Sequence, residues 1–221
     1  MSKVRAHLMM SLDGNAAGQN QSREKPFGDG MEQFLGWLFK LRSIREVLRS
    51  FSEVQGMEGG ETGPSDDVMR ETFANIGATV MGRNMFGGGP GPWPEEGWNG
   101  WWGDNPPYHT PVFVLTHYAR EPLEMEGGTV FHFVTDGIES ALRQAREAAG
   151  DADVRIGGGA NAVNQYLAAG LIDELELHLV PVLLGDGARL FAGLGQDPPG
   201  FELVRTVPGA DVTHLKYRVM K

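Results

Sequence analysis

Four stretches of this chain place ligand-binding residue types directly after an apolar run: Asp13-Gly14, Gly82-Arg83, Thr116-His117 and Gly157-Gly158-Gly159. The glycine triplet is the most informative. Val154 and Ile156 precede it as a short β-branched strand, and Ala160 opens a helix running to about Leu167, with Gly170 suited to its C-terminal cap. Glycine admits positive φ and lets a ligand approach bare backbone. Free N–H groups at a helix start bind phosphate, and the helix dipole adds only about 0.3–1 kcal/mol at an exposed position. The amides themselves therefore carry most of such binding. Arg83, just past a strand, offers phosphate oxygens a planar fork of donors. Asp13 follows an N-terminal strand, the position at which open α/β sheets gather ligands. Each stretch also has a plainer reading: a turn dipeptide, a surface arginine, and a glycine turn that only lets helix pack on strand. Four such ends on one sheet favour a crevice for a phosphorylated cofactor.

Other chemistries find less support. His7, His109, His117, His132, His178 and His214 form no H-E-x-x-H or other close ligand pair, so no metal site is expected. There is no G-x-S-x-G elbow, no Walker A loop and no cysteine to act as nucleophile, disulfide partner or metal ligand. The glycines with Ala162 also satisfy G-x-G-x-x-A, and Glu176 lies near the spacing of a ribose-binding acid. In that pattern the acid ends a strand, whereas Glu176 falls inside the run DELELHLVPVLL.

The 221 residues are 41% hydrophobic and 22% charged, ordinary values for a globular chain with a real core. A net charge of −10 argues against nucleic acid or an anionic membrane as partner, since both need a basic face. The N-terminus MSKVRAHLMMSLDG lacks the apolar core of a signal peptide, and no run approaches the ~20 apolar residues of a membrane span. A cytoplasmic protein is expected.

The elements that must hold these stretches can be read in order. KVRAHLMM is a strand running into SLDGNAAG. From Gly18 to about Asp67 the chain is polar and glycine-rich, except where Met31, Phe34, Leu35, Leu38, Leu41 and Ile44 recur at the spacing of an amphipathic helix weakened near Gly36. GMEGGETGPSDD is a loop long enough to serve as a lid. Ser65-Asp66-Asp67 cap a helix ending at Gly77, and ATVMG is a buried strand. Residues 87–111 are rich in Gly, Pro and Trp; Trp93, Trp98, Trp101 and Trp102 either stack on a flat ligand or pack on one another. Strands at 112–116 and 130–134 and the helix GIESALRQAREAAG lead to the glycine stretch. DELELHLVPVLLG then forms a long strand with Glu174, Glu176 and His178 on one face. FELVRTV and DVTHLKYRVM close as an antiparallel hairpin. The result is an α/β fold with a mixed, mostly parallel central sheet flanked by helices and antiparallel C-terminal strands.

In order and spacing, MSLDGNAAG, VMGRNMF, VFVLTH and VRIGGGANAVNQYLAAGLIDELELHLVPVLLGDGARLF resemble the dihydrofolate-reductase-like reductases. Within them the chain is most similar to the branch containing the C-terminal reductase domain of bacterial riboflavin biosynthesis. The resemblance covers most of the chain and is most specific from GGG through LIDEL, PVLLG and RLF. It implies one dihydrofolate-reductase-like domain over residues 1–221 with a helical and loop insertion at about 18–67, an NADPH cofactor and a homodimer. It places Gly158, Gly159, Ala160 and Asn161 against the cofactor's pyrophosphate, with Gly157 also among the cofactor-binding residues. Gly82, Arg83 and Met85 would run along its phosphates, and Thr116 and His117 beside the adenosine ribose and 2′-phosphate. Asp13, with Ala17 and Gly18, would lie by the nicotinamide and the substrate. The carboxylate that anchors substrate in the folate reductases has no unique counterpart in 18–67, and the Cys/His zinc site of the linked deaminase domain is absent from this sequence.

The expected activity is an NADPH-dependent reduction of a C=N or C=O in a pterin, ribosylaminopyrimidine or related small heterocycle. Asp13 is the first candidate for contacting substrate or relaying a proton. Arg23, Lys25, Arg42 or Arg45 would partner a phosphorylated substrate. Two other readings stand beside it: a module that holds a nucleotide, flavin or deazaflavin without turnover, and a protein that sequesters an aromatic ligand with its tryptophan loop.

Overall fold

The computed structural model describes residues 2–22, 24–51, 58–87, 89, 91–94 and 97–220. In chain order the strands are β1 (Val4–Ser11), β2 (Asn15–Gly18), β3 (Ile76–Gly82), β4 (Pro111–Leu115), β5 (Leu123–Glu124) and β6 (Val130–Val134), then β7 (Asp153–Gly158), β8 (Glu174–Val180), β9 (Gly187–Arg189), β10 (Gly200–Pro208) and β11 (Thr213–Met220). The helices are α1 (Met31–Leu35), α2 (Arg42–Phe51), α3 (Pro64–Phe73), α4 (Arg83–Phe86), α5 (Ile138–Ala149) and α6 (Ala160–Ala168). Nine strands form one sheet in the order β10-β11-β8-β1-β7-β3-β4-β6-β5, and β2 pairs with β9 as a small second sheet. The six strands from β8 to β6 are mutually parallel, while β11, β10 and β5 run antiparallel at the edges. The expected mixed, mostly parallel α/β architecture is therefore the one observed.

Strand alternation gives the sheet two unlike faces. On one, Val4, Ala6, Val80, Val154 and Ile156 form a core with Ala141, Leu142 and Ala145 of α5 and Val163, Tyr166 and Leu167 of α6. On the other, Phe34, Leu35, Trp37, Leu41, Ile44 and Met69 pack with Val180 and Val212 at the β8 side. Further along that face, Met81, Phe86, Val112, Val114 and Phe131 are covered by Trp93, Trp98, Trp102 and Tyr108. Between the two apolar caps, β1 and β7 present His7 and Arg155.

Several expectations are corrected by local contacts. The periodicity over 31–48 yields α1, a 3-10 turn at Leu38–Lys40 and α2 rather than one helix. The break is at Leu41, whose backbone is extended, and not at Gly36, which is helical. Leu41 is diverted because it bridges Glu61: Glu61 N–H donates to Lys40 O at 2.8 Å and Arg42 N–H to Glu61 O at 2.9 Å. The same bridge ties down the segment expected to be a lid, of which residues 56 and 57 lie outside the described residues. Helix α3 starts at Pro64 with Gly63 as its N-cap and no side-chain cap; Asp66 instead accepts from Ser43 N–H at 2.7 Å. It ends at Phe73, so Gly77 is a strand residue, where a Cβ would lie 2.8 Å from the Ala149 backbone. Finally, β8 stops at Val180, because the chain from Val182 turns to pair with the loop after β1, Leu12 N–H donating to Val182 O at 2.9 Å.

Candidate functional site

The carboxyl ends of β1, β7, β3 and β4 lie side by side along one edge of the sheet. The registers Met81↔Gly158 and Gly82↔Leu115 bring the glycine corner, Arg83 and Thr116 to neighbouring strand ends. Thr116 N–H donates to Val134 O at 3.0 Å, which extends the β4–β6 ladder through Thr116.

At the glycine corner, β7 runs through Gly157 to Gly158, and the Gly158–Gly159 peptide is cis. Gly158 has φ +123°, which disfavours any side chain, and a Cβ there would lie 3.3 Å from Met85 Sδ. Gly159 is the N-cap of α6 and supplies no side-chain cap, and a Cβ built on it would meet nothing within 4 Å. The first turn of α6 thus starts with no side-chain acceptor at its N-cap. Ala160 is buried and Asn161 exposed in that turn. Gly157 serves a different purpose from the turn expected of it: a Cβ there would sit 3.1 Å from an Arg155 guanidinium nitrogen, so its absence makes room for that side chain. At the far end of α6, Gly170 has φ +66° and its N–H donates to Leu167 O, the expected cap.

The guanidinium carbon of Arg83 lies over Trp93, 3.3 Å from the ring centroid. Its Nε donates to Gly87 O at 3.2 Å and its Nη1 approaches Thr116 Oγ1 at 3.4 Å, while Nη2 is buried and has no partner. Arg120 stands over the same ring at 5.2 Å and donates to Trp98 O. Burial pushes the Arg83 guanidinium below its ordinary range and the neighbouring Arg120 charge adds to it; burial lowers Arg120 as well. Among the described residues no carboxylate pairs with either. Two guanidinium groups thus share a tryptophan without a counter-ion among the described residues. Sequence reading missed Arg120, whose place in a polar loop carries no local signal; only the fold brings it over Trp93. His117 is exposed beside Thr116.

Asp13 is treated in the opposite way. Its carboxylate accepts from Ser11 Oγ, from Leu184 N–H at 3.1 and 3.2 Å and from Gly185 N–H at 2.7 Å. The Ser11 hydroxyl, followed by the backbone donors, holds its carboxyl down at about 2. It is therefore a carboxylate at neutral pH. Ala17 and Gly18 lie on β2, buried against β9. A Cβ on Gly18 would come within 2.0 Å of Asp29 O, so this glycine is required by backbone packing.

The tryptophans pack on one another and on the sheet. Trp98 and Trp101 meet edge to face at 4.7 Å, Trp93 meets Phe133 at 4.9 Å and Trp102 meets Tyr108 at 5.0 Å. Their indole N–H groups are used locally, Trp93 donating to Tyr118 O, Trp98 to Phe86 O and Trp101 to Met85 O. Of the basic residues in 18–67, Lys25 pairs with Asp29 at 3.1 Å and Arg45 donates to Phe39 O and Glu58 O; Arg23 lies outside the described residues. Glu176 is buried in mid-strand, accepting from Arg205 at 3.1 Å and Thr72 at 2.9 Å, which removes it as a ribose acid.

Comparison with known proteins bears on the fold and the family. In structure, the chain is similar to a putative riboflavin biosynthesis protein from Shewanella sp. PV-4, with a TM-score of 0.61 and 21% identity over 99% of both chains. It is also similar to dihydrofolate reductase from Enterococcus faecalis complexed with NADP(H), with a TM-score of 0.54 and 18% identity over 99% of this chain and 97% of that one. These likenesses establish the dihydrofolate-reductase-like fold. Among curated proteins, the uncharacterized protein YyaP of Bacillus subtilis (strain 168) is 29% identical over 79 residues, 36% of this chain and 40% of that protein. The match thus spans less than half the length of that relative. The model of the RibD C-terminal domain matches residues 2–215, and with nearly the whole sequence covered and the fold in agreement, the chain belongs to the RibD C-terminal domain family.

Proposed function

We propose that the chain is an NADPH-dependent reductase acting on a C=N or C=O of a pterin, ribosylaminopyrimidine or related heterocycle. Family membership supports a reductase role. The observation that carries the cofactor reading is the Arg83 guanidinium, with one buried nitrogen unpaired, at the strand end next to the uncapped start of α6. A buried donor without an acceptor costs about 1–3 kcal/mol, which an anionic ligand would recover. The residues present fit the group. Gly158, Gly159, Ala160 and Asn161 would hold the pyrophosphate through backbone amides, as Gly157 admits the side chain beneath them. Gly82, Arg83, Met85, Thr116 and His117, joined by Arg120, would line the remaining phosphates, including the 2′-phosphate that distinguishes NADPH.

NADPH would supply the hydride; the chain's tasks are binding, orientation and exclusion of water. Asp13 would act by holding the 182–185 loop against β1, beside the place of the nicotinamide and substrate. With its carboxyl at about 2, it has no proton to give near neutrality. Ala17 and Gly18 would back that position through β2. A homodimer is part of the proposal, supported by the exposed edge strand β10, which displays Phe201, Leu203 and Val204 to solvent. No helix among the described residues is long and apolar enough to cross a membrane.

Thermal melting tests the cofactor. NADPH at about 100 times its dissociation constant adds about 2.7 kcal/mol, which raises the midpoint by roughly 5–10 °C for a chain of this length. A shift with NADPH well above that with NADH is the expected result. No shift with either sinks the cofactor reading.

A further inference from the structure

Arg155 lies in the middle of the sheet, on β7 between Arg5 of β1 and Thr79 of β3. It is 7% exposed, and its Nε is sealed from solvent without a partner. Its neighbours are the faces of Phe73, at 5.3 Å from the guanidinium carbon, and Tyr108, at 5.4 Å, with the Tyr108 phenol as its polar contact. No carboxylate among the described residues pairs with it. The buried acid on the same face, Glu176, is already engaged by Arg205 and Thr72. His7, one strand away, is held neutral by burial and by the nearby charge of Arg155.

An isolated buried charge costs several kcal/mol, and arginine cannot escape by losing its proton. Elsewhere on this face the cost is met: Arg205 has Glu71 and Glu176, Lys216 has Glu71 and Glu174, and Arg5 has Asp153. The guanidinium also leans toward the candidate cofactor edge, into the space left by the missing Cβ of Gly157, two residues before the open Cα of Gly159. The guanidinium lies over the Phe73 and Tyr108 rings, and its planar fork of donors matches a negative oxygen on a ligand.

We propose that Arg155 is a substrate-binding residue, the counter-ion for an oxyanion, carboxylate or acidic ring oxygen on a planar substrate. The inference rests on the reductase reading for the word substrate, but the anion site stands on its own. The test uses the full chain without NADPH and two planar anions, benzoate and barbiturate, with benzamide and uracil as neutral controls. At least one anion should raise the melting midpoint of the wild type while its neutral control does not, and whichever anion acts identifies the oxygen recognised. In Arg155→Met that shift should vanish. The ligand-free variant should melt higher by about 3–10 °C, because an uncompensated buried charge has been removed. Arg155→Lys, which keeps the charge and loses the fork, should retain a reduced shift. The proposal is overturned if Arg155→Met melts lower than wild type, if the anions act equally on both, or if neither anion shifts the wild type. NADPH should shift wild type and Arg155→Met alike. Loss of that response in both, with the anion response intact, rejects the cofactor reading and leaves the anion site standing.

Discussion

The ends of β1 and β3 carry a carboxylate and a guanidinium on one edge of the sheet, and the fold treats them oppositely. Asp13 has every oxygen engaged, by Ser11 and by the amides of Leu184 and Gly185. Arg83 rests on Trp93 with a buried nitrogen unpaired and a second arginine close by. A polar group whose partners are supplied by the chain holds the chain together. One left short of partners, in a place where burial is costly, is waiting for something from outside. The buried pair His178 and His214 is a third case: the rings meet at 2.8 Å between their Nδ1 atoms, paired but kept neutral.

That contrast can be broken or sharpened experimentally, and the largest effect is expected from the histidine pair. Burial holds His178 at about 3 and His214 at about 4, against 6.5 for a free histidine, so the unfolded chain takes up more protons below pH 6.5. Stability is then complete above about pH 6.5 and falls by a few kcal/mol as the pH drops toward 4. Urea midpoints measured against pH should show this, and replacing both histidines by Phe should flatten the slope; an unchanged slope would assign it elsewhere. Asp13 acts in the same direction but in a lower window, its contribution lost only as the pH falls from about 4 through about 2.

Next, Asp13→Asn should lower turnover by about 10²-fold through misplacement of the β1 loop, while the NADPH dissociation constant stays within about twofold. Equal turnover in mutant and wild type would strip Asp13 of any role in the reaction. Gly18→Ala places a methyl on the Asp29 carbonyl and should cost about 1–3 kcal/mol of stability, lowering the melting midpoint by roughly 2–10 °C. A normal midpoint with weakened NADPH would instead make Gly18 a cofactor contact. Smallest, Arg83→Ala should weaken NADPH by about tenfold through one lost charge-assisted hydrogen bond, with the ligand-free midpoint little changed. An unaltered dissociation constant would return Arg83 to the class of structural side chains that Asp13 exemplifies.

How far the site was legible in the sequence depended on the range of the signals. The β7 strand, glycine corner and α6 helix with its Gly170 cap were readable because β-branching, glycine and helical periodicity act within a few residues. Leu41 was misread because its conformation is decided by Glu61, a partner outside any local window. Asp66 looked like a helix cap and instead accepts from the Ser43 amide, for the same reason. Gly157 looked like part of a turn, and only its neighbour Arg155 explains the missing side chain.

The sequence by itself determined the alternation of strands and helices, the mostly parallel sheet, and which residues stand at the strand ends. Those follow from propensities and apolar spacing that each segment carries alone. Only the tertiary structure decided which of these polar groups are satisfied. Whether Asp13 meets two amides from beyond β8, whether Arg83 meets Arg120 over Trp93, and whether Arg155 meets any acid are questions of distance between residues far apart in the chain. Electrostatic cost depends on those distances and on burial, and neither is written in residue type or spacing.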